Sequence, residues 1–200
     1  FHNIFRAFYA IRNLSNSKGL PTNAVFGFVQ ILRKVLKDEA PDFIGVALDI
    51  SDKTVRTEKY ADYKANRAPM PEDLVPQIPY VRKAIEAFRI PRLELDNYEA
   101  DDVMGTLAKK AAAAGYEVVL VSADKDLMQL IEPGIQMLDT MKNKKIGRDE
   151  VIEKFGVPPD KVVDVQSLAG DSVDNVPGVP GIGIKTAAEL INERSEEHTS

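Results

Sequence analysis

Three short runs in this chain that read as strands each lie just before acidic residues, and segments of helical periodicity separate them. The runs cover residues 43–48, 90–95 and 117–122, and a fourth lies at 135–139. The first (Phe43, Ile44, Gly45, Val46, Ala47, Leu48) has no polar alternation, which predicts a strand buried on both faces. Residues 22–37 place Val25, Phe28, Val29, Leu32, Val35 and Leu36 on one helical face, with Thr22 or Asn23 as cap. A helix is predicted over 72–88, interrupted early by Pro76 and Pro79. Another is predicted over 99–114, stopped by Gly115, and a short one over 126–131. Strands alternating with helices predict an α/β fold: a mostly parallel central sheet covered by helices on both faces. From Arg148 onward the pattern is helical only. The expected organisation is an α/β core over 1–147, containing a basic segment at about 52–71, then a helical region over 148–193. The tail 194–200 lacks apolar periodicity and is expected to fray. Both ends read as cuts in a longer gene product.

Composition narrows the chemistry. The chain has 200 residues, no cysteine and two histidines, both near its ends. Disulfides, thiolate metal sites and cysteine nucleophiles are excluded, and a histidine-rich zinc site or a Ser-His-Asp triad is disfavoured. No apolar run approaches the ~18 residues that a membrane-spanning helix needs. Chemistry here has to run on carboxylates, lysines, arginines and tyrosines.

The carboxylates are placed by the strands. Asp49 follows the first run. Glu99, Asp101 and Asp102 follow the second, in the first turn of the next helix. Asp124 and Asp126 follow the third. Ligands of open parallel sheets bind outside the carboxyl ends of the strands, so six acids are expected at one edge. Asp171 and Asp174 add two more from the helical part. Each group also has an ordinary reading. Acids in a first turn complement the helix dipole, and Asp124, Asp126, Asp171 and Asp174 suit turns and caps. Together, eight unpartnered acids would repel one another, and a divalent cation converts that repulsion into binding. All-oxygen ligation points to magnesium or manganese. With those eight charges set aside, the net charge of −5 becomes +3, which is compatible with a polyanionic substrate.

Basic elements supply the complement. Arg56, Lys59, Tyr60, Tyr63, Lys64 and Arg67 interleave cations with aromatics, a pattern suited to phosphate neutralisation and base stacking, or to a solvated helix face. Residues 176–188 form a glycine-rich turn opening a helix, whose N–H groups suit one phosphate with Lys185 beside them. A purely structural helix start is the alternative. A Walker P-loop fails on spacing, because Ile184 stands where its lysine belongs, and no strand precedes it.

Five stretches in order carry a family likeness: residues 63–67 (Tyr-Lys-Ala-Asn-Arg), 98–102 (Tyr-Glu-Ala-Asp-Asp), 122–127 (Ser-Ala-Asp-Lys-Asp-Leu), 170–175 (Gly-Asp-Ser-Val-Asp-Asn) and 177–183 (Pro-Gly-Val-Pro-Gly-Ile-Gly). They resemble the motifs of the 5′-nuclease (flap endonuclease) family, over about residues 3–192. The resemblance implies metal-assisted phosphodiester hydrolysis that removes 5′ flaps and RNA primers in replication and repair. It implies that Asp49, Glu99, Asp101, Asp102, Asp124, Asp126, Asp171 and Asp174 hold two magnesium or manganese ions. Lys64 and Arg67, with Arg56 near them, fall on the family's catalytic basic residues in its helical arch. The resemblance further implies a helix–three-turn–helix that holds duplex DNA around Gly181, Gly183, Lys185 and Thr186 and binds potassium through backbone carbonyls. Arg6 and Tyr63 are further candidate DNA contacts. The implied partners are DNA with a 5′ flap or nick, RNA primer–DNA hybrid, and a C-terminal polymerase domain in a longer bacterial, cytoplasmic protein, with no membrane. The family's opening strand, ending in Asp-Gly, would precede Ile4, so a central strand and one carboxylate are expected to be missing. Two rival readings are a catalytically impaired DNA-binding fragment and a small-molecule phosphatase. The basic segment and the glycine turn argue against the phosphatase.

Overall fold

A computed structural model describes residues 1–51 and 53–197. The chain divides into two compact units. The first is Phe1–Ser51 with Ala68–Val103, and the second is Asp52–Arg67 with Met104–Ser200.

The first unit opens with a helix that the sequence reading did not anticipate, α1 (His2–Ala10), packed on α2 (Asn23–Asp38). The approach is close at one point, where a Cβ on Gly27 would lie 2.7 Å from the Ala7 Cβ. Asn23 ties the pair, its amide donating to the carbonyls of Phe8 and Ile11 at 2.7 and 2.9 Å. The core joins Ile4, Ala24, Phe28 and Leu32 to Val81 and Ile85 of α4 (Ile78–Ala87). Pro76 and Pro79 split the predicted 72–88 helix into a 3-10 turn, Val75–Gln77, and α4. The predicted strands are short here. Only β1 (Val46–Ala47) pairs with β2 (Arg92–Leu93), in parallel. The expectation that residues 43–48 are buried on both faces is corrected: β1 is half-buried and Phe43 is 77% exposed. Helix α5 (Ala100–Ala113) begins in this unit and continues in the second.

The second unit holds a three-stranded sheet in the order β3 (Val118–Leu120), β4 (Ile135–Asp139), β5 (Lys144–Ile146). β3 and β4 are parallel. β4 and β5 form an antiparallel hairpin, with β5 an addition to the expected strands. The predicted helix at 126–131 is a 3-10 turn, Lys125–Leu130. Next come α6 (Arg148–Phe155), α7 (Val162–Ala169) and α8 (Ile184–Glu197). Beyond Ile146 no named strand occurs among the described residues, as the sequence pattern predicts. Met137, Val151, Phe155, Val162, Val165 and Ala187 are fully buried and bind the sheet to the helices. A short helix α3 (Val55–Lys59) lies in the basic segment. The tail expected to fray begins inside α8, and its last residues, 198–200, lie outside the described residues, as does Asp52 at the start of the predicted basic segment.

Candidate active site

In the first unit the predicted acids meet at the start of α5. Asp49 stands just past β1, and its Oδ1 accepts the Ala100 N–H at 2.8 Å. The Asp102 Oδ2 accepts the Glu99 N–H at 3.1 Å. Two carboxylates thus satisfy N–H groups that a helix start leaves without partners. Glu99 is buried, and Asp101 and Asp102 are half-buried. The capping and ligand readings of these acids are compatible, because a carboxylate oxygen that accepts an N–H is held in a fixed direction. Arg6 lies half-buried on α1.

In the second unit Asp124 and Asp126 follow β3. Asp124 caps the 3-10 turn, accepting the Asp126 N–H at 3.1 Å, while its own N–H donates to Ser122 Oγ at 3.1 Å. Asp126 receives the Gln166 amide of α7 at 2.5 Å. Burial pushes the Asp126 carboxyl above its ordinary range. The like charges of Asp124 and Asp171 add to this, against the pull of Gln166 and Lys125. At Asp171 burial also pushes upward. The Lys125 ammonium, 2.6 Å away, together with the Val173 and Asp174 N–H groups outweighs it and holds that carboxyl below its ordinary range.

Asp171 and Asp174 ride on a loop closed by two glycines. The Asp171 and Val176 backbones exchange N–H···O bonds of 2.8 Å, and the Val179 N–H donates to Leu168 O at 2.8 Å. Gly170 has φ +72°, and a Cβ there would lie 2.4 Å from the Gly178 nitrogen, so only glycine fits. Asp174 is buried and faces the basic segment. Its Oδ1 accepts Arg67 at 2.6 Å, its Oδ2 accepts the Tyr63 hydroxyl at 3.2 Å, and Lys64 Nζ lies 3.8 Å from Oδ2. Arg56 is exposed on α3. Gly181, Gly183, Lys185 and Thr186 are all exposed around the start of α8, with Gly181 at φ +81°.

Sequence reasoning did not find Gln166, Lys125, Asn66 or Asn175 as site neighbours. Lys125, Asn66 and Asn175 lie inside the family-like stretches, but no local pattern marks any of them as the partner of a particular residue. Among the described residues no three His, Cys, Asp or Glu side chains form a ready-made cage for an ion. The donor set nevertheless fits a hard divalent cation. The carboxylate oxygens are the donors such an ion takes; burial, with Asp124 and Asp171 adding to it, raises Asp126, while Lys125 already pairs with Asp171.

Residues 1–156 match the 5′-3′ exonuclease N-terminal resolvase-like domain, and residues 157–197 match the 5′-3′ exonuclease C-terminal SAM fold. The chain belongs to the 5′-3′ exonuclease family. It is 49% identical to DNA polymerase I of Rhizobium leguminosarum over 98% of its own length, and 43% identical to a 5′-3′ exonuclease of Aquifex aeolicus over 95%. It spans 20% of the first relative and 66% of the second. The fold matches that of a phage T5 flap endonuclease solved with DNA and metal ions, with TM-score 0.79 at 24% identity, covering 96% of this chain and 72% of that one. A T5 5′-exonuclease with bound zinc gives TM-score 0.78 at 22% identity, with the same coverage. No described helix is long and apolar enough to cross a membrane.

Proposed function

We propose that this exonuclease-family chain is a divalent-metal-dependent 5′ nuclease that hydrolyses phosphodiester bonds at 5′ flaps, nicks and RNA primers. The observation that carries the reading is the placement of acids and bases in the second unit. Three carboxylates, Asp124, Asp126 and Asp171, crowd one another. Asp174 is paired with the cations of the basic segment. The proposed metal ligands are these four and, in the first unit, Asp49, Glu99, Asp101 and Asp102, acting directly or through water on two magnesium or manganese ions. Such ions, when bound, activate a water and stabilise the leaving oxygen.

The protein groups have separate tasks. Lys64 and Arg67 neutralise charge that develops on the scissile phosphate, with Arg56 contributing from α3. Gln166 and Lys125 fix the directions of the Asp126 and Asp171 carboxylates. The exposed turn at Gly181 and Gly183, with Lys185 and Thr186, grips a duplex phosphate and provides carbonyls for a potassium ion. Tyr63 and Arg6 are further DNA contacts. In a longer bacterial protein a polymerase domain follows, and the site of action is the cytoplasm. The likeness to DNA polymerase I and to a flap endonuclease solved with DNA and metal ions supports this reading.

The test is cleavage of a 5′-labelled flap duplex. Magnesium should give cleavage near the branch, and a chelator should abolish cleavage while duplex binding persists. Binding without cleavage in magnesium would favour a DNA-binding module instead.

A further inference from the structure

Residues 60–67 and 171–176, both in the second unit, are pinned together by neutral as well as charged groups. Asn66 Nδ2 donates to Ser172 O at 2.9 Å, and Asn175 Nδ2 donates to Asp62 O at 2.7 Å. Between these reciprocal amides, the Lys64 N–H donates to Asp174 O at 2.9 Å. Lys64 (φ 58°) and Asn175 (φ 57°) are both left-handed, a conformation that side-chain-bearing residues disfavour and that this joint holds in place. The joint delivers Arg67 to one oxygen of Asp174 and Tyr63 to the other, with the Lys64 ammonium alongside. Both oxygens of that carboxylate are therefore taken up by the protein's own donors.

We infer that the basic segment is an internal counter-ion latch. Arg67, Lys64 and Tyr63 occupy Asp174. A divalent cation that takes Asp174 competes with them, loosens the segment, and frees Arg67 and Lys64 for a phosphate. The inference rests on the proposed reading of Asp174 as a metal ligand. Coupling of this kind is reciprocal, so whatever weakens the latch must tighten cation binding. Asn66 supplies the cleanest probe. Its amide is neutral and touches a backbone carbonyl, so its removal alters the latch without altering charge at the site.

The test is Mn2+ titration of the DNA-free chain by calorimetry, with hydrogen exchange at the Lys64 amide as a second readout. Asn66→Ala and Asn175→Gly should each tighten Mn2+ binding by about two- to ten-fold, the equivalent of one lost hydrogen bond. Arg67→Gln should tighten it at least as much. In the unaltered chain, saturating Mn2+ should speed exchange of the Lys64 amide. The latch is overturned if Asn66→Ala leaves Mn2+ affinity unchanged or weaker, or if the Lys64 amide is equally protected with and without Mn2+. Asp174→Asn separates the two claims. If it binds Mn2+ as well as the unaltered chain, the ligand reading fails and the latch with it. If it binds more weakly while Asn66→Ala and Arg67→Gln bind no tighter, the latch alone fails.

Discussion

Replacing Gly178 with alanine puts a methyl group into a gap that does not exist. The added Cβ would lie 2.3 Å from the Ala169 carbonyl carbon, 2.4 Å from its oxygen and 2.5 Å from the Gly170 nitrogen. All three are backbone atoms, so no side chain can swing aside, and the two strands of the loop must part by about 1 Å to reach ordinary contact. Parting them breaks the alignment of the Val179 N–H to Leu168 O bond and of the Asp171–Val176 pair. Overpacking costs about 1–3 kcal/mol, and each misaligned hydrogen bond adds about 1 kcal/mol. The expected loss is about 4–6 kcal/mol, against a typical total stability of about 5–15 kcal/mol. The assay is urea unfolding, read as the midpoint at constant slope. Gly183→Ser is the control, because nothing lies within 4 Å of its Cβ position and serine suits a helix start. It should stay within about 0.5 kcal/mol of the unaltered chain. A Gly178→Ala chain that unfolds within about 1 kcal/mol of the unaltered one would refute the claim that backbone contact at Gly170 and Gly178 builds the Asp171–Asp174 loop.

Two other predictions concern charge. Burial, with Asp124 and Asp171, raises the Asp126 carboxyl, so between its ordinary and raised values the folded chain holds a proton that the unfolded chain has lost. This group therefore favours folding in acid and loses that contribution as pH rises through the raised value. In metal-free buffer Asp126→Asn, which keeps an acceptor for Gln166, should raise the melting temperature by about 1–3 °C at pH 7 and should give no gain below the ordinary carboxylate range; a neutral or negative change at pH 7 would count against the repulsion. Lys185→Ala should weaken duplex binding for all sequences alike and flatten the slope of log affinity against log salt by about 0.9. An unchanged slope with full affinity would leave the turn as a helix start only.

Local pattern accounts for the elements that the sequence disclosed. Helix α2 shows a clean apolar face and β4 a compact apolar run, and both appear where periodicity predicts. Helix α1 was missed because it has no side-chain cap hydrogen bond and no acid in its first turn, and it is held by packing on α2. Strand β5 reads as Lys-Lys-Ile, and only pairing with β4 makes it a strand. The reverse error befell residues 43–48, whose apolar character overstated both burial and strand length, since only Val46 and Ala47 pair. At the site, the acids were legible because strand ends and helix starts announce them. Their pairings were not: Arg67 was legible as a basic site residue but not as the partner of Asp174, 107 residues away, and nothing local ties Gln166 to Asp126, 40 residues away.

The central claim is that carboxylates of this chain support metal-dependent cleavage. Its most direct test is single-turnover cleavage of a 5′-flap duplex in magnesium by Asp124→Asn beside the unaltered chain, with duplex affinity measured in parallel. Asparagine keeps the oxygen that caps the 3-10 turn and removes only the charge. The account predicts a loss of at least about a hundred-fold in rate, with duplex binding unchanged or tighter. Cleavage by Asp124→Asn at the unaltered rate would contradict it.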